Sequence, residues 1–180
     1  MRRFILTGAP GSGKTSIARV LQAQGYRAVA EAATDVIAAE QARGVDEPWR
    51  DALFIDKIIR MQRARQLAEP PAPASAVTFY DRSPVCTLAL ARFVGHPTSA
   101  ALSAELTRIV EQGIYERQVF FIRPLGFVEP TQARRISYED SLKFEQLHEE
   151  EYARLGFDIV DIPPAPPATR AAAIEAHIKP

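Results

Sequence analysis

Five short apolar runs rich in β-branched or aromatic residues punctuate the chain: Phe4 to Thr7, Tyr26 to Ala30, Val77 to Tyr80, Val119 to Ile122 and Ile159 to Ile162. Four of them are nearly continuous rather than alternating, the pattern of strands covered on both faces. Between the runs, apolar positions recur at helical spacing. Ile17, Val20 and Leu21 share a face that Gly25 ends, and residues 34 to 43 repeat the pattern with Val36, Ile37 and Ala39. Pro48 suits a first helical turn, with Trp49, Leu53, Phe54, Ile58 and Met61 on the face behind it. Residues 84 to 94, 99 to 112 and 139 to 155 complete the predicted helices; Ser-Tyr-Glu-Asp at 137 to 140 reads as a capping box and Gly156 as a stop. Strands alternating with helices predict parallel pairing through right-handed crossovers, and so a three-layer α/β fold. The proline-rich stretches 69 to 75 and 162 to 168 are too short for domain linkers and read as surface connections, which leaves residues 1 to 180 as one domain.

Composition narrows the class. The chain has 180 residues, 47% of them hydrophobic, and a formal net charge of zero. A long polyanion such as nucleic acid is therefore not the expected partner, because such binding rests on a net basic face. One cysteine, Cys86, allows no internal disulfide and fits a reducing compartment. The opening Met-Arg-Arg-Phe is followed at once by Gly8, Pro10, Gly11, Gly13 and Lys14, which interrupt any signal-like apolar stretch. No run approaches the roughly 20 apolar residues of a bilayer span. The expectation is a cytoplasmic protein.

The densest chemistry lies directly after the first apolar run, in Gly8, Ala9, Pro10, Gly11, Ser12, Gly13, Lys14, Thr15 and Ser16. Glycine, four residues, then Gly-Lys-Ser/Thr is the phosphate-loop pattern. Glycines let the backbone curl until several N–H groups face one anion. The helix that follows adds unpaired N–H groups and about half a positive charge. Lys14 brings a cation to the β- and γ-phosphates, Thr15 a hydroxyl to Mg²⁺, and Ser12 and Ser16 further phosphate contacts.

A strand ending in Asp81 places a carboxylate where phosphate-loop proteins keep a metal-facing acid. Asp81 is a candidate for holding Mg²⁺ or for accepting a proton from an attacking hydroxyl; the alternative is a cap on the helix starting near Ser83. Arg82 follows, where motor ATPases commonly carry a water-activating glutamate, and suits gripping a phosphate or positioning the acceptor; the chain contains no asparagine, so the Asn-Lys-x-Asp guanine motif is absent. Both features point to small-molecule phosphotransfer. Arg134 and Arg135 lie on an irregular segment after the strand ending at Arg123. They read as a lid supplying transition-state charge, with Arg123 stacking on the base, or else as surface arginines pairing with Glu145, Glu149, Glu150 and Glu151. Glu31, just past the second strand, either orients an acceptor or stabilises the next helix. His96, His148 and His177 lack metal-ligand spacing and read as surface or loop positions, Cys86 as a buried structural thiol, and Glu149 to Glu151 as a solvated helix face.

The stretches around Gly8–Ser16, Glu31, Asp81–Arg82 and 120 to 162 resemble a family of AAA-labelled, stand-alone phosphate-loop proteins. That family is similar to the ribosylnicotinamide kinase domain and, more distantly, to nucleoside and nucleotide monophosphate kinases. The resemblance implies ATP or GTP binding and a five-stranded sheet in the order 2-3-1-4-5, with helices on both faces. It also implies Gly8 to Ser16 as phosphate cradle, Asp81 and Arg82 as metal and catalytic pair, Arg123, Arg134 and Arg135 as lid, and the loop after Ile162 beside the base. Related riboside kinases tend to carry arginine after Glu-Ala-Ala; Thr34 stands here, which leaves the acceptor open. Ring assembly is not expected. The combined expectation is a Mg²⁺-dependent kinase acting with a nucleoside triphosphate on an unidentified small acceptor, with a nucleotide-binding regulatory module or a slow NTPase as alternatives.

Overall fold

A computed structural model describes residues 1–68, 76–126 and 136–179. Five strands, β1 (Arg2–Thr7), β2 (Arg27–Val29), β3 (Val77–Asp81), β4 (Gln118–Ile122) and β5 (Asp158–Ile162), form one sheet in the order β2-β3-β1-β4-β5. Every pairing is parallel. The expected α/β fold and strand order are therefore present.

Side chains alternate across the sheet and feed two apolar layers. On one face Phe4, Leu6, Phe79 and Phe120 pack with Ile17 and Leu21 of α1 (Lys14–Ala23) and with Ala171, Ile174 and Ile178 of α7 (Pro167–Ile178). On the other, Ile5, Tyr80 and Val119 meet α2 (Ala32–Gln41), α3 (Leu53–Leu67), α4 (Pro84–Val94) and α5 (Ala100–Glu111). A 3₁₀ turn, Pro48–Arg50, precedes α3, and α6 (Tyr138–Arg154) packs along α4.

Capping follows the sequence. Ser137 accepts the Asp140 N–H at 3.0 Å, Ser99 accepts that of Leu102, and Ser83 accepts that of Val85. Ser83, not Asp81, caps α4, so that alternative for Asp81 is removed.

One helix was not predicted and two expectations need correction. The stretch after the second proline-rich segment is a full helix, α7, with Pro167 in its first turn and apolar residues at 171, 174 and 178. His148 is not a surface residue: it is fully buried on the inner face of α6. Glu151 is not solvated either. It is buried and paired with Arg92 and Arg154, so only part of the acidic run faces water.

Candidate functional site

Strand register assembles the site. Leu6 of β1 pairs with Asp81 of β3, and the Arg82 N–H donates to the Leu6 carbonyl at 3.0 Å. Both strands thus end together, with the glycine loop leaving β1 beside the acid that ends β3. Thr7 pairs with Phe121 on the other side, bringing Gly8 against β4. A Cβ on Gly8, whose φ is +123°, would lie 2.3 Å from the Ile122 carbonyl oxygen, so only glycine fits.

The loop opens α1 with Gly13 at the cap position, φ +93°. No side chain caps this helix end and its own first turn holds no acid, so its N-terminal N–H groups keep their electropositive character. The Lys14 ammonium folds back over the loop. It donates to the carbonyls of Gly8 and Ala9 at 3.0 and 2.7 Å and to the Ser12 hydroxyl at 3.3 Å. Burial, then repulsion from Arg82, outweighs the pull of Asp81 and Glu31 and lowers its pKa to about 7.

The Thr15 hydroxyl donates to Asp81 Oδ2 at 2.9 Å. Asp81 Oδ1 is buried without a hydrogen-bond partner among the described residues. Burial, with help from Glu31, raises the Asp81 pKa. A hydroxyl and a partnerless carboxylate oxygen side by side form the hard, oxygen-only donor set that suits Mg²⁺, an ion that keeps several waters and takes few protein ligands. Among the described residues no group of three His, Cys, Asp or Glu side chains converges as a metal cage.

Arg82 has the positive φ of 74°, unusual for a side-chain-bearing residue. The turn swings its guanidinium across the end of the sheet. Nε lies 2.5 Å from Glu31 Oε1, Nη1 lies 3.1 Å from His148 Nε2, and the group rests 5.9 Å from the Phe144 ring centroid. His148 Nδ1 is 2.7 Å from the Phe144 carbonyl. A carbonyl only accepts, so Nδ1 carries the proton and Nε2 offers its lone pair to Arg82. Burial, then Arg82, holds the His148 pKa well below its ordinary value. Burial would raise the Glu31 pKa, but Arg82, Lys14 and a 3.0 Å bond from Thr34 prevail and keep it low. Although Glu31 occupies the cap position of α2, its side chain makes no cap bond.

Pro10, Gly11, Gly13, Lys14, Thr15, Ser16, Glu31 and Arg82 all line one cavity of about 650 Å³. Trp49, Phe54, Phe93 and Phe144 supply apolar walls, and Thr34, Gln62 and Thr87 supply polar points. Arg123 stands elsewhere, between Glu145 and Glu149 of α6 and Asp161 of β5, with its guanidinium 4.4 Å from the Phe121 centroid. Arg134 and Arg135 lie outside the described residues. Sequence reasoning missed His148, whose partner is 66 residues away, and Arg170 of α7, whose guanidinium reaches the loop. Period-3.6 spacing after Pro167 was the available signal for α7.

A parallel sheet with a glycine loop at the central strand's carboxyl end and an acid on its neighbour defines a phosphate-loop α/β protein. A family model described as an AAA domain matches residues 3–170, and the chain belongs to that family. No curated protein matches it. Among solved structures, it is similar to NadR protein in complex with NAD and AMP-PNP: TM-score 0.69, 17% identity, covering 98% of this chain and 48% of that one. NadR protein in complex with NR gives 0.65, 17%, 89% and 43%. Deoxyadenosine kinase from M. mycoides with bound dCTP gives 0.62, 13%, 98% and 98%. The chain thus spans about half the length of the NadR chains it matches. At these identities the likeness establishes the fold. No helix among the described residues is long and apolar enough to cross a membrane.

Proposed function

We propose that the chain is a single-domain, Mg²⁺-dependent phosphotransferase that moves the γ-phosphoryl group of ATP, or of GTP, to a small nucleoside-like acceptor. One observation carries this reading: the lysine end of the phosphate loop and the Glu31–Arg82 pair line the same cavity of about 650 Å³. A nucleotide-binding module or a water-using NTPase needs no room beyond the phosphates on the Glu31–Arg82 side; an acceptor does. Aromatic walls with a few polar points suit a flat heterocycle. The solved neighbours carry NR and dCTP, which supports a nucleoside-shaped occupant.

In this reading Gly8 to Ser16 cradle the triphosphate and Lys14 exchanges its carbonyl partners for phosphate oxygens. Thr15 and Asp81 would hold Mg²⁺, which when bound neutralises charge on the β- and γ-phosphates. Glu31, kept ionised by Arg82, accepts the hydrogen bond of the acceptor hydroxyl and aims its oxygen, while Arg82 fixes Glu31. Arg134 and Arg135 enter as lid cations and Arg123 as a base-side residue. Most of the rate gain would come from positioning and electrostatics.

A nucleotide-depletion assay with and without pooled nucleosides tests the proposal. ADP or GDP formed only with an acceptor is the expected result. Turnover indifferent to acceptors would make the chain an NTPase, and tight binding without turnover a regulatory module.

A further inference from the structure

Arg170 belongs to neither the loop motif nor the cavity, yet it is 2% exposed and reaches the loop from behind. Its Nη1 donates to the Ser12 carbonyl at 2.6 Å, Nε to the Pro163 carbonyl at 3.0 Å and Nη2 to the Arg123 carbonyl. One guanidinium fork thereby joins the phosphate loop to the ends of β4 and β5. Among the described residues all its partners are neutral carbonyls, and burial lowers its pKa.

The three carbonyls are not equivalent. Arg123 and Pro163 are each followed by proline, so those peptides have no N–H to aim. Ser12 is followed by Gly13, which has one. In a trans peptide the carbonyl and the following N–H point to opposite sides. Holding the Ser12 oxygen on α7 therefore turns the Gly13 N–H away from α7. The fit is close, since a Cβ on Gly13 would stand 3.3 Å from Arg170 Nη1.

We propose that Arg170 is a positioning residue for the phosphate loop: it pins the Ser12 carbonyl outward, so that the Gly13 amide is presented to a bound phosphate, and it ties the loop to two strand ends. The proposal rests on reading Gly8 to Ser16 as a triphosphate cradle. It separates Arg170 from a residue that merely holds α7 in place, because the pinned peptide belongs to the anion's side of the loop. Because two of its carbonyl partners, Arg123 and Pro163, stand on the side read as the base side, tripolyphosphate isolates the loop's share of the effect and ATP reads the whole fork.

The test is calorimetry with Mg²⁺–ATP and with Mg²⁺–tripolyphosphate on the parent, Arg170→Met, Arg170→Lys and Ile174→Ala, the last removing a buried apolar side chain from the same helix. Arg170→Met is expected to weaken tripolyphosphate about tenfold or more, and ATP by at least that factor. Arg170→Lys should fall between, and Ile174→Ala should bind as the parent does below its melting temperature. In the ligand-free protein, the Ser12 carbonyl-carbon and Gly13 amide resonances should move in Arg170→Met but not in Ile174→Ala. Should Arg170→Met not fold, Arg170→Lys carries both readouts. Unchanged affinity for tripolyphosphate, an equal loss in Ile174→Ala, or unmoved Ser12 and Gly13 resonances each overturn the proposal. A parent that binds neither ligand overturns the nucleotide reading instead, and the resonances still decide Arg170.

Discussion

Two cations meet at the end of the sheet, and the protein treats them in opposite ways. Lys14, on the proposed donor side, is hydrogen-bonded among the described residues only to carbonyls and a hydroxyl, and burial drives it toward neutrality. Arg82, on the proposed acceptor side, is joined to the Glu31 carboxylate and the His148 lone pair, and these hold its charge in place. The donor side is electrostatically unfinished without an anion. The acceptor side neutralises itself and leaves Glu31 available as a hydrogen-bond acceptor. Removing charge should therefore cost binding on one side and folding on the other.

The largest effect is expected at Lys14. Lys14→Met should weaken ATP binding by about a hundredfold, the ~2.7 kcal/mol scale of a charged hydrogen bond to phosphate. Its melting temperature at neutral pH should equal or exceed the parent's, because a buried ammonium without a carboxylate bond is removed. Calorimetry and a thermal melt on the same preparation check both halves. A variant that binds ATP like the parent breaks the donor side of the contrast.

Glu31→Gln should show the reverse. It leaves the buried Arg82 guanidinium without its carboxylate. Breaking fully buried pairs costs about 3–5 kcal/mol, and because Glu31 is one-quarter exposed the expected loss is about 2 kcal/mol. Denaturant unfolding measures it, while ATP affinity should change little. A stability loss below about 0.5 kcal/mol would mean that water already satisfies Arg82.

These two sides were unequally legible in the chain. The phosphate loop is local: nine consecutive residues carry its glycines, its cation and its hydroxyls, so the pattern could be read directly. Asp81 and Arg82 were readable because a strand end is itself a place in the fold. His148 was not, since a histidine among Glu145, Glu149, Glu150 and Glu151 has the look of an exposed helix face until the packing of α6 on α4 is known. Arg170 was hidden for a similar reason. Its three carbonyl partners lie up to 158 residues away, and backbone acceptors leave no mark in side-chain patterns. The sheet order followed from the resemblance, whereas the two apolar layers follow from alternation along β1, with Phe4 and Leu6 facing one way and Ile5 the other.

A third measurement sharpens the contrast without mutation. With its pKa at about 7, Lys14 is about nine-tenths neutral at pH 8. A triphosphate stabilises the ammonium, so binding at pH 8 should take up close to one proton, and binding at pH 6 almost none from this group. Calorimetry in buffers of different ionisation enthalpy reads the uptake directly, and Lys14→Met should lack it. Proton-neutral binding at pH 8 would mean that the loop keeps its cation charged without help.

The smallest effect concerns His148 and the acceptor side. Its folded pKa lies below the ordinary 6.5, so the unfolded chain binds the proton more readily. The contribution is therefore fully present above about pH 6.5 and is lost as pH falls through that value toward the folded pKa. Protonation would also place a cation against Arg82 and remove the lone pair that Nη1 uses. The parent should lose stability on going from pH 7 to pH 5, at a rate from this residue of at most roughly 1 kcal/mol per pH unit. His148→Gln keeps a side-chain oxygen able to accept from Arg82 but cannot titrate. It should match the parent near pH 7.5 and fall less steeply below pH 6.5, as read from denaturant midpoints across that range. A Gln variant that follows the parent's curve down to pH 5 would show that His148 titrates alike in the folded and the unfolded chain.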